Sequence, residues 1–419
     1  MDRYDVAIAG GGIIGLTIAY ELCTRGFRVA VLDGTDARMA SSYGNAGYVS
    51  PSLGPLAMNV REFRAVAAYL ASSTTTTATT PNALSSNSSG PIDVSMDAKD
   101  SQESMRMREM MMLIRNMALE SREWYARMSS NLGFEYKHLG LLEVYLSREG
   151  LEHRLEQVKH LASMLNIQYK VLGGDDVHAL EAFVRDTCAG ALFYPDDALV
   201  NPKTLLRALK AALEAMDVTF LGNLEDVEFD SNDVRGRNGV KFVKGGDVKV
   251  CADTYILCTG AYKVRGLSLP IASARGYMVE LVNQSTPRYP ILCGERRVAI
   301  AMHDRLRLSG AFELCSVGST INEERFDELL EWSKGYVTLS NITVVDRWSG
   351  YRPCTPDGLP IIGRVGNQGH GDGTSNVIVA TGHCRLGITL APATARLVAA
   401  LVEGRDDVPD ALKPNRYGL

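Results

Sequence analysis

The opening segment Tyr4–Asp33, YDVAIAGGGIIGLTIAYELCTRGFRVAVLD, restricts the fold more than any other stretch. Val6 and Ile8 mark a short apolar strand. An apolar-periodic helix is predicted over Ile13 to Arg25, and Phe27 to Leu32 reads as a second strand ending at Asp33. Gly10, Gly12 and Gly15 stand between first strand and helix at G-x-G-x-x-G spacing, and the acid follows about 20 residues on. Gly10 permits a tight turn, Gly12 lets the backbone approach a pyrophosphate at the helix N-terminus, and Gly15 lets helix and strand pack closely. Ile13 and Ile14 open the helix, Gly34 follows the acid, and Asp33 is placed to accept hydrogen bonds from an adenosine ribose. The pattern predicts a βαβ dinucleotide unit without separating FAD from NAD.

A chain of 419 residues with 46% apolar content can build a sizeable core and suggests two domains. A formal charge of -5 gives no reason to expect nucleic acid or an anionic membrane as partner. No apolar run reaches transmembrane length, which leaves peripheral membrane contact and oligomerisation open. The 8 cysteines form no CxxC pair and no metal-like cluster. They read as reduced, mostly buried thiols in a reducing compartment, with no metal site. A cytoplasmic or mitochondrial location without a secretory leader is expected, because Tyr4 already lies in the first strand.

Small residues, glycines and prolines dominate Ser41 to Pro55, which reads as a loop, or a short helix and loop, laid against a ligand, with Ser41 and Ser42 able to cap a short helix and offer hydroxyls to phosphate. Residues 71–102 are low in complexity and nearly free of core residues, so a disordered surface insertion is expected. A helix is predicted over Met105 to Met128, another from Asn201-Pro202 through Ala215, and a hairpin about Gly245-Gly246. Thr254 to Cys258 is a buried strand running into Thr259 and Gly260, which belong near the dinucleotide. Short alternating strands from Arg275 onward suggest an antiparallel sheet. The last unit repeats strand, glycine turn and helix: Val377 to Thr381, Gly382 to Gly387, Ala391 to Glu403. The fold class is α/β. The expected division is a nucleotide domain from 1–68, 193–265 and 344–419, and a second antiparallel-sheet domain from 105–192 and 266–343.

Three stretches resemble one family: Ser41 to Ser52 (SSYGNAGYVSPS) beside the opening unit, Arg347 to Gly363 (RWSGYRPCTPDGLPIIG), and Ala380 to Val402 (ATGHCRLGITLAPATARLVAALV). The RGY at Arg275 to Tyr277 and the strand Asp304 to Leu314 add weaker support. The chain resembles the FAD-dependent D-amino-acid dehydrogenases, glycine oxidases and related amine oxidoreductases of the D-amino-acid oxidase fold. That resemblance implies a Rossmann-like FAD-binding domain and an antiparallel substrate domain, of the D-amino-acid oxidase and glutathione-reductase-like type. It places the isoalloxazine between the loop containing Asn45, Ala46 and Gly47 and the turn from Gly382 through Gly387, Ile388 and Thr389.

It also implies that Arg352 binds a substrate carboxylate, with Arg385, Tyr277 and His383 as further catalytic candidates and Tyr351 as a pocket wall. For His383 a ring that only ties the turn is equally open, for Tyr277 and Tyr351 plain packing is the commoner alternative, for Arg275 an ordinary surface charge is the alternative, and for Arg352 a structural ion pair to Asp346 or Asp357 is the alternative from composition. Some relatives attach flavin through cysteine. The matching position here is Gly350, so non-covalent FAD is expected. The implied chemistry is oxidation of a small amino acid: D-alanine, D-proline or hydroxyproline, glycine or sarcosine type. A hydride passes to flavin and an imino acid results. A 2-hydroxy-acid dehydrogenase and a non-catalytic flavoprotein subunit stay open, as does an acceptor that is oxygen, a quinone or an electron-transfer protein.

Overall fold

A computed structural model describes residues 3–34, 38, 40–56, 60–73, 102–222, 226–230, 239–244, 246–248, 250–293, 297–302, 305–365 and 376–419. The stretch 71–102 expected to be disordered lies outside these residues except at its ends, where one helix finishes at Ser73 and another starts at Gln102.

Apolar runs without alternation become the strands of a sheet covered on both faces. Val29–Leu32 and Val377–Thr381 are buried at every residue. They join Arg3–Ala9, Cys251–Leu257 and Thr219–Leu221 as parallel neighbours, with Ile361–Arg364 antiparallel on the edge of this six-stranded sheet. The helices Ile13–Thr24, Pro202–Ala215 and Gly387–Val402 share one core against it. Asn201 caps the second of these through its side-chain oxygen, and Pro202 fills the first turn, as the sequence predicts.

The other large sheet has eight strands. Ala272–Val282 lies between Thr343–Cys354 and Arg305–Leu314, antiparallel to both. Ala274 faces Arg352 across one pairing, Gly276 faces Gly350, and Tyr277 faces Ser349. On the other side the register slips between Arg275 and Tyr277: their partners are Glu313 and Gly310, so the Arg305–Leu314 strand carries an extra residue. Ala311, within that bulge, takes a left-handed φ of 64°. Helix Glu324–Ser333 covers one face of this sheet through Phe326 and Leu329.

Sheet membership redraws the expected domain limits. Thr343–Cys354, expected at the start of the last nucleotide-domain segment, is the edge strand of the eight-stranded sheet. Helix Gln102–Leu132, expected with the substrate domain, buries Met111, Ile114, Met117 and Tyr125 in the core built around Val6 and Ile8. Its apolar stripe needs cover, and the helix Gly387–Val402 supplies it. Among the described residues no helix is long and apolar enough to cross a membrane.

Candidate active site

The glycines of the opening unit make a turn that tolerates no side chains at two of three places. A Cβ on Gly10, whose φ is 108°, would collide with the Cys258 carbonyl, and one on Gly15 would collide with the Gly10 carbonyl. Gly12 differs. A Cβ there meets nothing closer than Ser42 Oγ at 3.5 Å, so its space opens outward at the start of helix Ile13–Thr24. The Ile13 N–H donates to Ser42 Oγ at 3.0 Å. Asp33 lies against Gly11; burial raises its proton affinity, and the backbone N–H groups of Gly11 and Gly34 oppose that shift. Gly260 adopts a left-handed φ of 62° with open space beside it, and its carbonyl accepts from Thr381 Oγ1 at 3.0 Å. Thr259 turns its hydroxyl to the Tyr262 carbonyl instead.

Ser41 departs from the phosphate role expected of it: its hydroxyl donates to the Tyr351 carbonyl and ties this loop to the GYRP strand. Asn45 folds its side chain over the Gly47 N–H at 2.7 Å, and its own carbonyl accepts from Arg307 at 2.5 Å. Arg307 has no exposed surface and pairs with Glu280, which also takes Lys203 at 2.7 Å; Lys203 reaches Asp346 at 3.2 Å. This buried charge cluster fixes the 43–47 backbone. No local pattern in the sequence announces it, because its members come from four distant segments. Ala46 packs beside Leu199 and Met302.

The final turn closes the site from the opposite side. Thr389 donates to the Tyr48 carbonyl at 2.8 Å, Tyr125 donates to the Ile388 carbonyl at 2.8 Å, and Gly387 lies beside Ile13. Helix Gly387–Val402 begins without a side-chain cap, which leaves its first-turn N–H groups as donors. Gly382, at φ 83°, is packed against Thr355. His383 is buried and bonded to Thr394 Oγ1 at 3.0 Å, and burial pushes its pKa down to about 3. A neutral ring tied to the helix is therefore what the surroundings provide, not a titrating base.

Arg352 stands alone in its chemistry. Its guanidinium donates to the Ala311 carbonyl at 3.1 Å, and among the described residues no carboxylate pairs with it. Asp346 is taken by Lys203 and Arg38, and Asp357 by Arg416, so neither acid considered from composition is its partner. The side chain keeps some accessible surface while protein surrounds the charge. Burial first, and then repulsion from Arg385, push its pKa down to about 9, with Glu62 acting in the other direction. Arg385 comes already paired. It grips Glu62 through two bonds, at 2.5 and 3.0 Å, and lies over the Phe312 ring at 4.3 Å. Glu62 belongs to helix Val60–Ser73, whose signal in the sequence is Phe63, Val66 and Leu70 at helical spacing.

The family model described as DAO, FAD dependent oxidoreductase, matches residues 5–401. The chain belongs to this FAD-dependent oxidoreductase family. It is 29% identical over 96% of its length to the bifunctional protein ThiO/ThiG of Trichormus variabilis, and spans 53% of that longer protein. It is 26% identical to the D-amino acid dehydrogenase of Helicobacter pylori, over 95% of each chain. In fold it is similar to glycine oxidase from Geobacillus kaustophilus, with a TM-score of 0.73, 23% identity, and 98% and 97% of the two chains covered.

The cradle fits the cofactor that this family uses. Open space at Gly12, a helix start whose N-cap glycine brings no side chain of its own, and a buried acid against the glycine loop are what a dinucleotide needs. Gly10 to Gly15, Asp33, Ser42, Asn45 to Gly47, Gly260 and Gly387 to Thr389 would hold FAD.

Three expectations about this flavoenzyme change. Tyr277 and Tyr351 stand on the other face of the sheet from Arg352, because side chains alternate along a strand. Tyr277 donates to Glu313 at 2.9 Å and meets Phe326 edge-on, and Tyr351 accepts from Arg275 at 2.8 Å. Neither has the place expected of a catalytic or pocket group. Arg275, read as a surface charge, is 2% exposed and bonded to Ser319 and Thr320. Finally, Cys354 and Cys384 are joined in a disulfide rather than reduced, their Cα atoms 4.5 Å apart; the other six cysteines are free. Two segments distant in sequence bring these thiols together, which spacing along the chain does not reveal.

Proposed function

We propose that this flavoenzyme oxidises a small D-amino acid or secondary amino acid, of the D-alanine, D-proline or hydroxyproline, glycine or sarcosine type, to the imino acid. The observation that carries this reading is Arg352: a guanidinium enclosed by protein, on the sheet face left open by Gly276, with no carboxylate paired to it among the described residues. Holding such a charge unpaired is unfavourable unless a ligand completes it. A substrate carboxylate matches it in charge and planarity. The names of the D-amino acid dehydrogenase and glycine oxidase relatives support the same class of substrate.

Arg352 would orient the carboxylate and so fix the position of Cα. Arg385, paired with Glu62, adds bulk beside the substrate without a second open cation. The neutral His383 ring holds the turn in place against Thr394. The uncapped first-turn N–H groups at Gly387 and Ile388 would offer hydrogen bonds to negative charge on a flavin held beside them. The chemistry supplied by FAD, when held there, would be that of a hydride acceptor. Such a reaction asks of the protein mainly positioning and exclusion of water.

Anaerobic mixing with D-amino acids, both proline isomers, glycine, sarcosine and 2-hydroxy acids tests the proposal. Bleaching of the flavin by amino acids of this class supports it. Bleaching by 2-hydroxy acids alone, or by none, refutes it.

A further inference from the structure

We propose that Cys354 and Cys384 form a redox-responsive clamp that positions Arg352 and Arg385, so that cleaving their disulfide lowers affinity for a carboxylate ligand. The inference rests on the carboxylate-binding reading of Arg352 given above.

The clamp joins the two segments that carry the guanidinia. Cys354 follows Arg352 by two residues on one strand, so both side chains share a face. Cys384 immediately precedes Arg385. The strand belongs to the eight-stranded sheet, whereas the turn leaves the six-stranded sheet after Thr381, so the bond ties one sheet to the other. Beside it the Cys384 N–H donates to the Pro353 carbonyl at 2.8 Å, and Cys354 pairs with His383 as a single bridge.

Two features oppose this arrangement and give the covalent link something to hold. Arg352 and Arg385 repel one another, and Glu62 offsets that only in part. Cys384 also adopts a left-handed φ of 47°, which side chains rarely take without constraint. With the bond cut, both features favour a shift of the turn away from the strand.

Access to the bond is one-sided. Cys354 is 2% exposed in an apolar cluster with Val66, Ala272 and Ala274, while Cys384 is only partly buried. A dithiol would therefore attack through one thiolate at Cys384 Sγ, breaking the S–S bond and releasing Cys354 as a thiolate that takes a proton. Its second thiol then closes on the first, freeing Cys384 as a thiol and leaving a cyclic disulfide. Two electrons and two protons end on the protein, and the dithiol is oxidised by the same amount.

The test uses the FAD-loaded protein with acetate as probe and dithiothreitol as the dithiol. Peptide mapping under non-reducing conditions should find the 354–384 cross-link in air-oxidised protein. Reduction should raise the acetate Kd, read from the flavin spectrum, by at least about threefold, with bound flavin unchanged. In turnover KM should rise by the same factor while kcat changes by less than about twofold. Reoxidation should restore both. The Cys354→Ser/Cys384→Ser variant should bind acetate as weakly as the reduced protein and ignore dithiothreitol, which separates this pair from the other six cysteines. Absence of the cross-link, or a Kd unmoved by its reduction while Arg352→Met abolishes binding, overturns the clamp alone. Acetate binding that survives Arg352→Met overturns both the clamp and the carboxylate reading.

Discussion

The guanidinium of Arg352 occupies the space that a side chain on Gly276 would fill: a Cβ there would overlap both terminal nitrogens. Gly276 sits one strand away, and its missing side chain is what lets the arginine lie flat across the sheet. On its other side Arg352 donates to Ala311, whose left-handed backbone within the bulge turns its carbonyl to this position. A gap and a bulge therefore aim one charge.

Gly276→Ala should leave the fold and FAD content intact, because the overlapping atoms are the far end of a flexible side chain. It should displace the guanidinium and raise substrate KM by roughly tenfold, about 1.4 kcal/mol. Steady-state kinetics beside a flavin spectrum check this. An unchanged KM would mean that Arg352 does not contact substrate.

Arg352→Met should remove carboxylate binding, a loss of roughly 2–5 kcal/mol. The same change should raise the Tm of the ligand-free protein by a few degrees, on the order of 1 kcal/mol, since an enclosed charge without a counter-ion disfavours folding. Calorimetry with and without acetate reads both effects, and a lowered Tm would argue for a structural role.

Glu62→Gln should release Arg385 as a second open cation beside Arg352. Dicarboxylic amino acids should then gain on monocarboxylic ones, with the ratio of their kcat/KM values rising about fivefold or more. An unchanged ratio would place Arg385 outside the substrate pocket.

His383 gives a pH dependence of stability. Its pKa is pushed down to about 3 in the fold against 6.5 when free, so the unfolded chain binds the proton first on acidification. Stability from this group is complete above pH 6.5 and falls as pH drops toward 3, by about 1.4 kcal/mol per unit. His383→Gln should flatten that limb of a Tm-against-pH curve. The pH profile of kcat should show no limb that the same substitution removes.

Gly12→Val should fold but lose FAD, because the space beside Gly12 opens toward the ligand and not toward protein. Flavin content after purification measures it; full loading would move the pyrophosphate elsewhere.

The opening βαβ unit, the capped helix at Asn201, the strand into Gly260 and the last strand-turn-helix were legible because each is specified by neighbours in the chain: periodicity, glycine spacing and a cap. Arg352 was found through a motif, and FAD followed from the family. Tertiary structure alone decided which groups meet. Strand alternation put Tyr277 and Tyr351 behind the sheet from Arg352, a distant helix brought Glu62 to Arg385, and two sheets brought Cys354 to Cys384. A local pattern records what one segment can do by itself. The pairing of charges and thiols depends on register and packing between segments far apart in the sequence, and no single stretch carries that.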